Sequence, residues 1–193
     1  MQTVLLDTPA GVSARLGWDP SLSVHDRRRM IAKELIADRL GCEIKDIVIV
    51  REDPRGFGYH TRLIASRGSE ELPLAIHTAS FRAATVIAIS EPGMPVGIDI
   101  RDLHPEPADL HHMQKHSHLL DKNNVEDLVQ HWVRVQAVLE ADGRGVRVAP
   151  EHVQLNSPRT VGWLPDRKAH YALADLSRDG WLITLAHGDH ARP

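Results

Sequence analysis

The apolar positions change their period several times along the chain, and each change marks an element. Residues 83–106 carry the densest pattern: a β-branched run at 85–89, the connection Glu91-Pro92-Gly93-Met94-Pro95, and a second run at 96–100. Two such runs on either side of a Pro-Gly turn predict a buried hairpin. Upstream, Val4-Leu5-Leu6 predicts an edge strand, followed by irregular chain through Pro9 and Gly11. Ser23, with Asp26 three residues on, is a candidate N-cap, and Met30, Ile31, Leu35, Ile36 and Leu40 then recur at helical spacing before Gly41. A strand follows at 44–50, a turn at 53–56 and a second β segment at 59–66. Residues 72–80 place His77-Thr78-Ala79-Ser80 at a strand-to-helix corner, where a histidine is ordinarily just a satisfied corner residue.

After a connection rich in Pro and His, the spacing of Leu128, Val129, Trp132, Val135, Val138 and Leu139 predicts a helix over 125–142 with Gly143 as its stop. Residues 146–153 read as strand or turn, and 159–167 as a strand with Trp163 inward. Alternation at 170–176 and 181–187 predicts a closing pair of strands around Asp179-Gly180. The tail from His187 is expected to fray. Helix, strands and hairpin thus occur twice, which predicts an α+β fold. The chain reads as a single unit over 1–193 with two similar halves, approximately 1–90 and 91–193, although no repeat is visible residue by residue.

Composition narrows the picture. At 193 residues and 42% apolar content the chain buries a real core, and a net charge of −3 gives no general attraction to nucleic acid or to an anionic membrane. A single cysteine, Cys42, excludes an intrachain disulfide and fits a reducing compartment. With no basic segment leading into a long apolar run, neither export nor membrane insertion is expected, and the cytoplasm is the simplest address.

Three features bear on chemistry. Asp99 sits inside an apolar run, where a carboxylate needs a partner or a task; pairing with Arg101 is the plain reading and a functional acid the sharper one. Five of the 13 histidines, His104, His111, His112, His116 and His118, fall in one short segment that reads as an exposed loop. A zinc site there, with His131 nearby, would lack the usual Cys or carboxylate frame. The cluster Arg27-Arg28-Arg29 reads by default as a solvated helix face.

Gly97-Ile98-Asp99-Ile100 and, some 30 residues later, Trp132-Val133-Arg134-Val135-Gln136-Ala137-Val138-Leu139-Glu140-Ala141-Asp142-Gly143-Arg144-Gly145 together resemble the signatures of the 4'-phosphopantetheinyl transferase superfamily. The family pattern is G-[IV]-D-[IV]-E, then W-x-x-K-E-A-x-x-K-A-x-G-x-G. The helix beginning at Arg27 resembles the family's Arg-rich N-terminal helix, His77-Thr78 lies where the family has Ser-His-Ser, and 171–188 resembles its closing hairpin. The resemblance covers roughly 22–188. It implies two pseudo-symmetric α/β halves with the active site at the seam, where Asp99 and Gln136 would face each other. It also implies coenzyme A as donor, Mg²⁺ on acidic residues, and the serine of an acyl or peptidyl carrier protein as acceptor.

Carried over residue by residue, Asp99 matches the first family acid, but Arg101, Gln136, Val135 and Glu140 stand where the family has an acid, an acid, a lysine and a lysine. The scaffold residues Gly97, Trp132, Ala137, Gly143 and Gly145 are kept. A guanidinium beside Asp99 competes with a metal for that carboxylate, so no metal is expected, or Asp99 alone if Mg²⁺ binds. The expected function is therefore a rebuilt, metal-independent pocket acting on a small or carrier-tethered substrate. Phosphopantetheine transfer and non-catalytic binding of coenzyme A or a carrier are the alternatives. Within that reading the expected catalytic residues are Asp99, Glu140 and His77, and the substrate-binding residues are Arg101, Gln136, Arg28 and Thr78.

Overall fold

The structure, a computed structural model, describes residues 1–51, 62–116 and 124–188. The predicted turn at 53–56, the start of the segment at 59–66, His118 and the end of the tail lie outside them. The chain is α+β and divides into two compact units, Met1–Gly93 and Met94–Pro193.

In the first unit β1 (Gln2–Leu6) pairs with β2 (Ser13–Trp18), and helix α1 (Val24–Leu40) follows. Next come β3 (Ile47–Arg51), β4 (Leu63–Arg67), the short β5 (Glu70–Glu71), β6 (Ala75–Phe81) and β7 (Ala84–Ser90). The larger sheet has the order β1-β2-β7-β6 and the smaller one β3-β4-β5, with antiparallel pairing throughout. Ser23 caps α1 by accepting from the Asp26 N–H at 3.1 Å, and Gly41 ends it with φ 61°. Ile31, Ala32, Leu35 and Ile36 of the helix pack on Ile76, Ile87 and Ile89 of the larger sheet and on Ile47, Ile49 and Ala65 of the smaller.

The second unit begins with β8 (Val96–Asp102), followed by α2 (Pro107–Lys115) and α3 (Val125–Ala141). The strands β9 (Gln154–Leu155), β10 (Val161–Trp163), β11 (His170–Asp175) and β12 (Trp181–His187) complete it. Their order is β8-β12-β11-β10-β9. All six apolar residues expected on one face of α3 are buried. Val135, Val138 and Leu139 meet Tyr171 and Ala186 of the sheet, while Leu128, Val129 and Trp132 meet Leu182 and Met113 of α2. No helix among the described residues is long and apolar enough to cross a membrane.

Several expectations need correction. The runs at 85–89 and 96–100 do not form a hairpin: β7 lies between β2 and β6 in one sheet, and β8 pairs with β12 in another. Both runs are apolar because they are buried, and burial alone carries no information about the pairing partner. The stretch after β1 contains a full strand, β2, rather than irregular chain only. His77 lies in the middle of β6, not at a corner, because β6 turns directly into β7. Residues 44–46 form a 3₁₀ turn ahead of β3 rather than the start of the strand, and of the two readings of 146–153, strand or turn, the 3₁₀ turns at Gly145–Arg147 and Pro150–His152 bear out the second. The closing strands do flank Asp179 and Gly180, whose φ values of 53° and 82° suit a primed hairpin turn.

Gly97 and Gly162 give a paired test of how α3 sits. A Cβ on Gly97 would stand 2.1 Å from the Ala137 carbonyl oxygen and 2.3 Å from the Ala141 nitrogen, whereas on Gly162 it would meet side-chain ends of Val138 and Leu155 at 2.5 and 2.8 Å. Helix backbone cannot yield as a methyl group can. Gly97→Ala is therefore expected to cost roughly 3 kcal/mol or more in urea unfolding and Gly162→Ala about 1 kcal/mol.

Candidate functional site

Strand β8 and helix α3 build a cluster around Asp99. Side chains alternate along β8, so Gly97, Asp99 and Arg101 share the face on which α3 lies, and Ile98 and Ile100 the other. In the register with β12, Asp99 stands opposite the buried Thr184. Gln136 and Glu140 are one helical turn apart on α3; Gln136 is half-buried and Glu140 exposed. The structure thus brings Asp99, Arg101, Gln136 and Glu140 together on neighbouring elements of the second unit, rather than on opposite sides of a seam.

Asp99 is only 9% exposed. Its Oδ1 accepts a hydrogen bond from Arg101 Nη1 at 3.0 Å, and the same nitrogen donates to the Ile100 carbonyl at 2.7 Å. Oδ2 is buried and has no hydrogen-bond partner among the described residues. Burial pushes the Asp99 carboxyl up to about 7 and Glu140 adds to the rise, while Arg101 opposes both. Desolvation outweighs the ion pair, so the group gains or loses its proton near neutral pH.

The family's metal does not suit this donor set. Mg²⁺ takes hard oxygen ligands, usually carboxylates with waters. Here one oxygen of Asp99 is engaged by a guanidinium, the positions of the other two family acids hold an arginine and an amide, and the exposed Glu140 is the one further carboxylate of this cluster. No cluster of three or more His, Cys, Asp or Glu fit for a metal occurs among the described residues.

The remaining predicted site residues lie in the first unit, on two faces of one sheet. Thr78 faces the α1 side and lines a pocket with His25, Arg28, Arg29, Arg51 and Leu63. Arg28 Nε donates to Ser80 Oγ at 3.2 Å. Burial, then the charges of Arg51 and Arg27, hold the Arg28 guanidinium below its ordinary value, so an anion placed there would relieve the repulsion. His77 belongs to the opposite face, where its Nε2 lies 3.1 Å from Ser90 Oγ. Burial, helped by the charge of Arg62, lowers its pKa to about 4, so it is neutral at pH 7.

Arg27 is not part of a solvated face. It is 4% exposed and serves as a clamp, with Nε on Thr85 Oγ1 at 3.3 Å, Nη1 on the Asp19 carbonyl at 3.1 Å and Nη2 on the Arg82 carbonyl at 2.6 Å. The run of three arginines hides this because only one of its positions falls on the buried stripe of α1.

The histidine-rich segment also departs from expectation, since 107–115 is helix rather than loop. His112 and His116 pack against Trp132 with ring centroids 5.5 Å away, and His116 Nδ1 contacts Glu151. His131 is buried on α3 with Nδ1 unpartnered, and burial first, then Arg159, lowers its pKa to about 4.

Sequence reasoning missed Ser90 and Glu151. Ser90 ends an apolar run and reads there as a strand stop; Glu151 lies far along the chain from His116 and gives no local signal. No protein-family model matches the chain, and a search of curated proteins returns no match.

Proposed function

We propose that this chain is a divergent relative of the 4'-phosphopantetheinyl transferases whose pocket beside β8 and α3 performs metal-independent acid/base chemistry on a small or carrier-tethered substrate. The observation that carries the reading is the Asp99 carboxyl, buried, half-partnered and pushed up to about 7. Buried acids with so much of their hydrogen-bonding capacity unused are costly, and they are common where a proton has to be moved. Asp99 is the proton donor, and Glu140, exposed one helical turn beyond Gln136, is the base. Arg101 holds an anionic or carbonyl oxygen of the substrate, and the Gln136 amide supplies a hydrogen bond. In support of the family reading, each unit packs a 17-residue helix on an antiparallel sheet.

A second reading, binding of coenzyme A with or without transfer of its phosphopantetheine, is favoured by the arginine-lined pocket of the first unit. An apo carrier protein incubated with this protein, coenzyme A and Mg²⁺ separates the two. The expected mass spectrum shows no gain of phosphopantetheine at catalytic protein concentration; stoichiometric, time-dependent loading would establish the second reading instead. On the substrate of the metal-independent reaction, Asp99→Asn and Glu140→Gln are each expected to lower kcat about 10²-fold or more, with unchanged far-ultraviolet dichroism.

Stability gives a test that needs no substrate. The folded-state pKa of Asp99 is raised above the ordinary 3.8 to about 7. The folded chain therefore holds a proton that the unfolded chain has released across that window. The contribution of the protonated group to stability is fully present below the lower value, is lost as pH rises, and changes no further above about 7. Asp99→Asn removes the titration. Its unfolding free energy relative to the unmodified protein is expected to rise by about 1.4 kcal/mol per pH unit within the window and to level off above it, as read by urea unfolding.

A further inference from the structure

The contact between His77 and Ser90 can be satisfied in only one protonation pattern. Ser90 is fully buried, and its single hydroxyl proton has two neighbours in reach: the Glu91 carbonyl oxygen at 3.2 Å and His77 Nε2 at 3.1 Å. A backbone carbonyl can only accept. Both contacts are therefore hydrogen bonds only if Ser90 donates to Glu91 and accepts from His77, which puts the imidazole proton on Nε2. The other nitrogen, Nδ1, then carries a lone pair, and no partner engages it among the described residues. The surroundings favour the neutral ring: Ala88 lies opposite His77 across the strand pair, the residues of β7 around it are fully buried, and the charge that acts on the ring is that of Arg62.

We propose that Ser90 is a positioning residue that locks His77 in its neutral Nε2–H tautomer and leaves Nδ1 as the hydrogen-bond acceptor of the ring. The ring itself offers an anion no donor, because its only proton is already given to Ser90. The arginine-lined pocket on the opposite face of the sheet supplies cations, and His77 supplies an acceptor. The assignment rests on the first unit alone and holds whether or not Asp99 is the acid of the second unit.

Long-range ¹H–¹⁵N correlation spectra of the full chain test the assignment. The expected spectrum at neutral pH shows a protonated Nε2 and an imine-type Nδ1 for His77, and the ring stays neutral down to about pH 5, well below an ordinary histidine. Ser90→Thr, which keeps the hydroxyl, retains that pattern; Ser90→Ala loses it and gives a mixture of tautomers or a raised pKa. Inorganic phosphate at millimolar concentration leaves the His77 nitrogens unmoved. An Nδ1–H tautomer in the unmodified protein, an Ser90→Ala spectrum identical to it, or a phosphate-dependent rise of the His77 pKa would each overturn the assignment.

Discussion

The second unit depends on how closely α3 approaches β8 at Gly97. The helix backbone occupies the volume a side chain would take, and the rest of the cluster follows from that approach. With the helix this low, Asp99, two places along the strand, is buried against α3 within reach of the Glu140 charge. A helix held a side chain's width further away would leave room for water around Asp99. Its carboxyl would then be an ordinary surface acid.

Two buried charges among the described residues, Arg27 and Asp99, are treated in opposite ways. Arg27 is given acceptors for four of the five N–H groups of its fork: three backbone carbonyls, of Asp19, Leu22 and Arg82, and the Thr85 hydroxyl. Such a guanidinium ties the start of α1 to the turn between β6 and β7. Asp99 receives one side-chain donor, Arg101, and its Oδ2 is left without a hydrogen-bond partner among the described residues. A buried charge with most of its hydrogen bonds made is a structural part, and a half-satisfied one is a stored capacity for proton transfer.

The helices α1 and α3 were legible in the sequence because a period of 3.6 residues and a cap are local, whereas the short α2, without an apolar stripe of that length, read as a loop. Ser23, Gly41, the apolar face of α3 and the closing turn at Asp179-Gly180 all follow from residues within a few positions of one another. Strand pairing beyond that closing hairpin was not legible, since it is settled by what lies beside a strand in space. Ile87 and Ile98 look alike in sequence and belong to different sheets. The same limit governs the candidate site. Asp99 was conspicuous as a charge in an apolar run, but the split of His77 and Thr78 onto two faces of β6 requires knowing that the segment is an extended strand. Adjacent residues then point apart by the pleat alone. Arg27 shows the converse: three identical neighbours conceal one that is buried.

The strand orders have a consequence for synthesis on the ribosome. In the larger sheet of the first unit the final strand, β7, is the one that joins the β1-β2 pair to β6, and in the second unit the first strand, β8, is bound only to the final one, β12. Neither sheet can close progressively as its strands emerge. Each unit must hold its early strands open, with apolar faces uncovered, until its closing segment has left the exit tunnel; sheet closure then spans nearly the full length of the unit. For the second unit this interval includes α3, which reaches solvent long before β12 and can cover Gly97 and its neighbours while the strand edge is still unpaired.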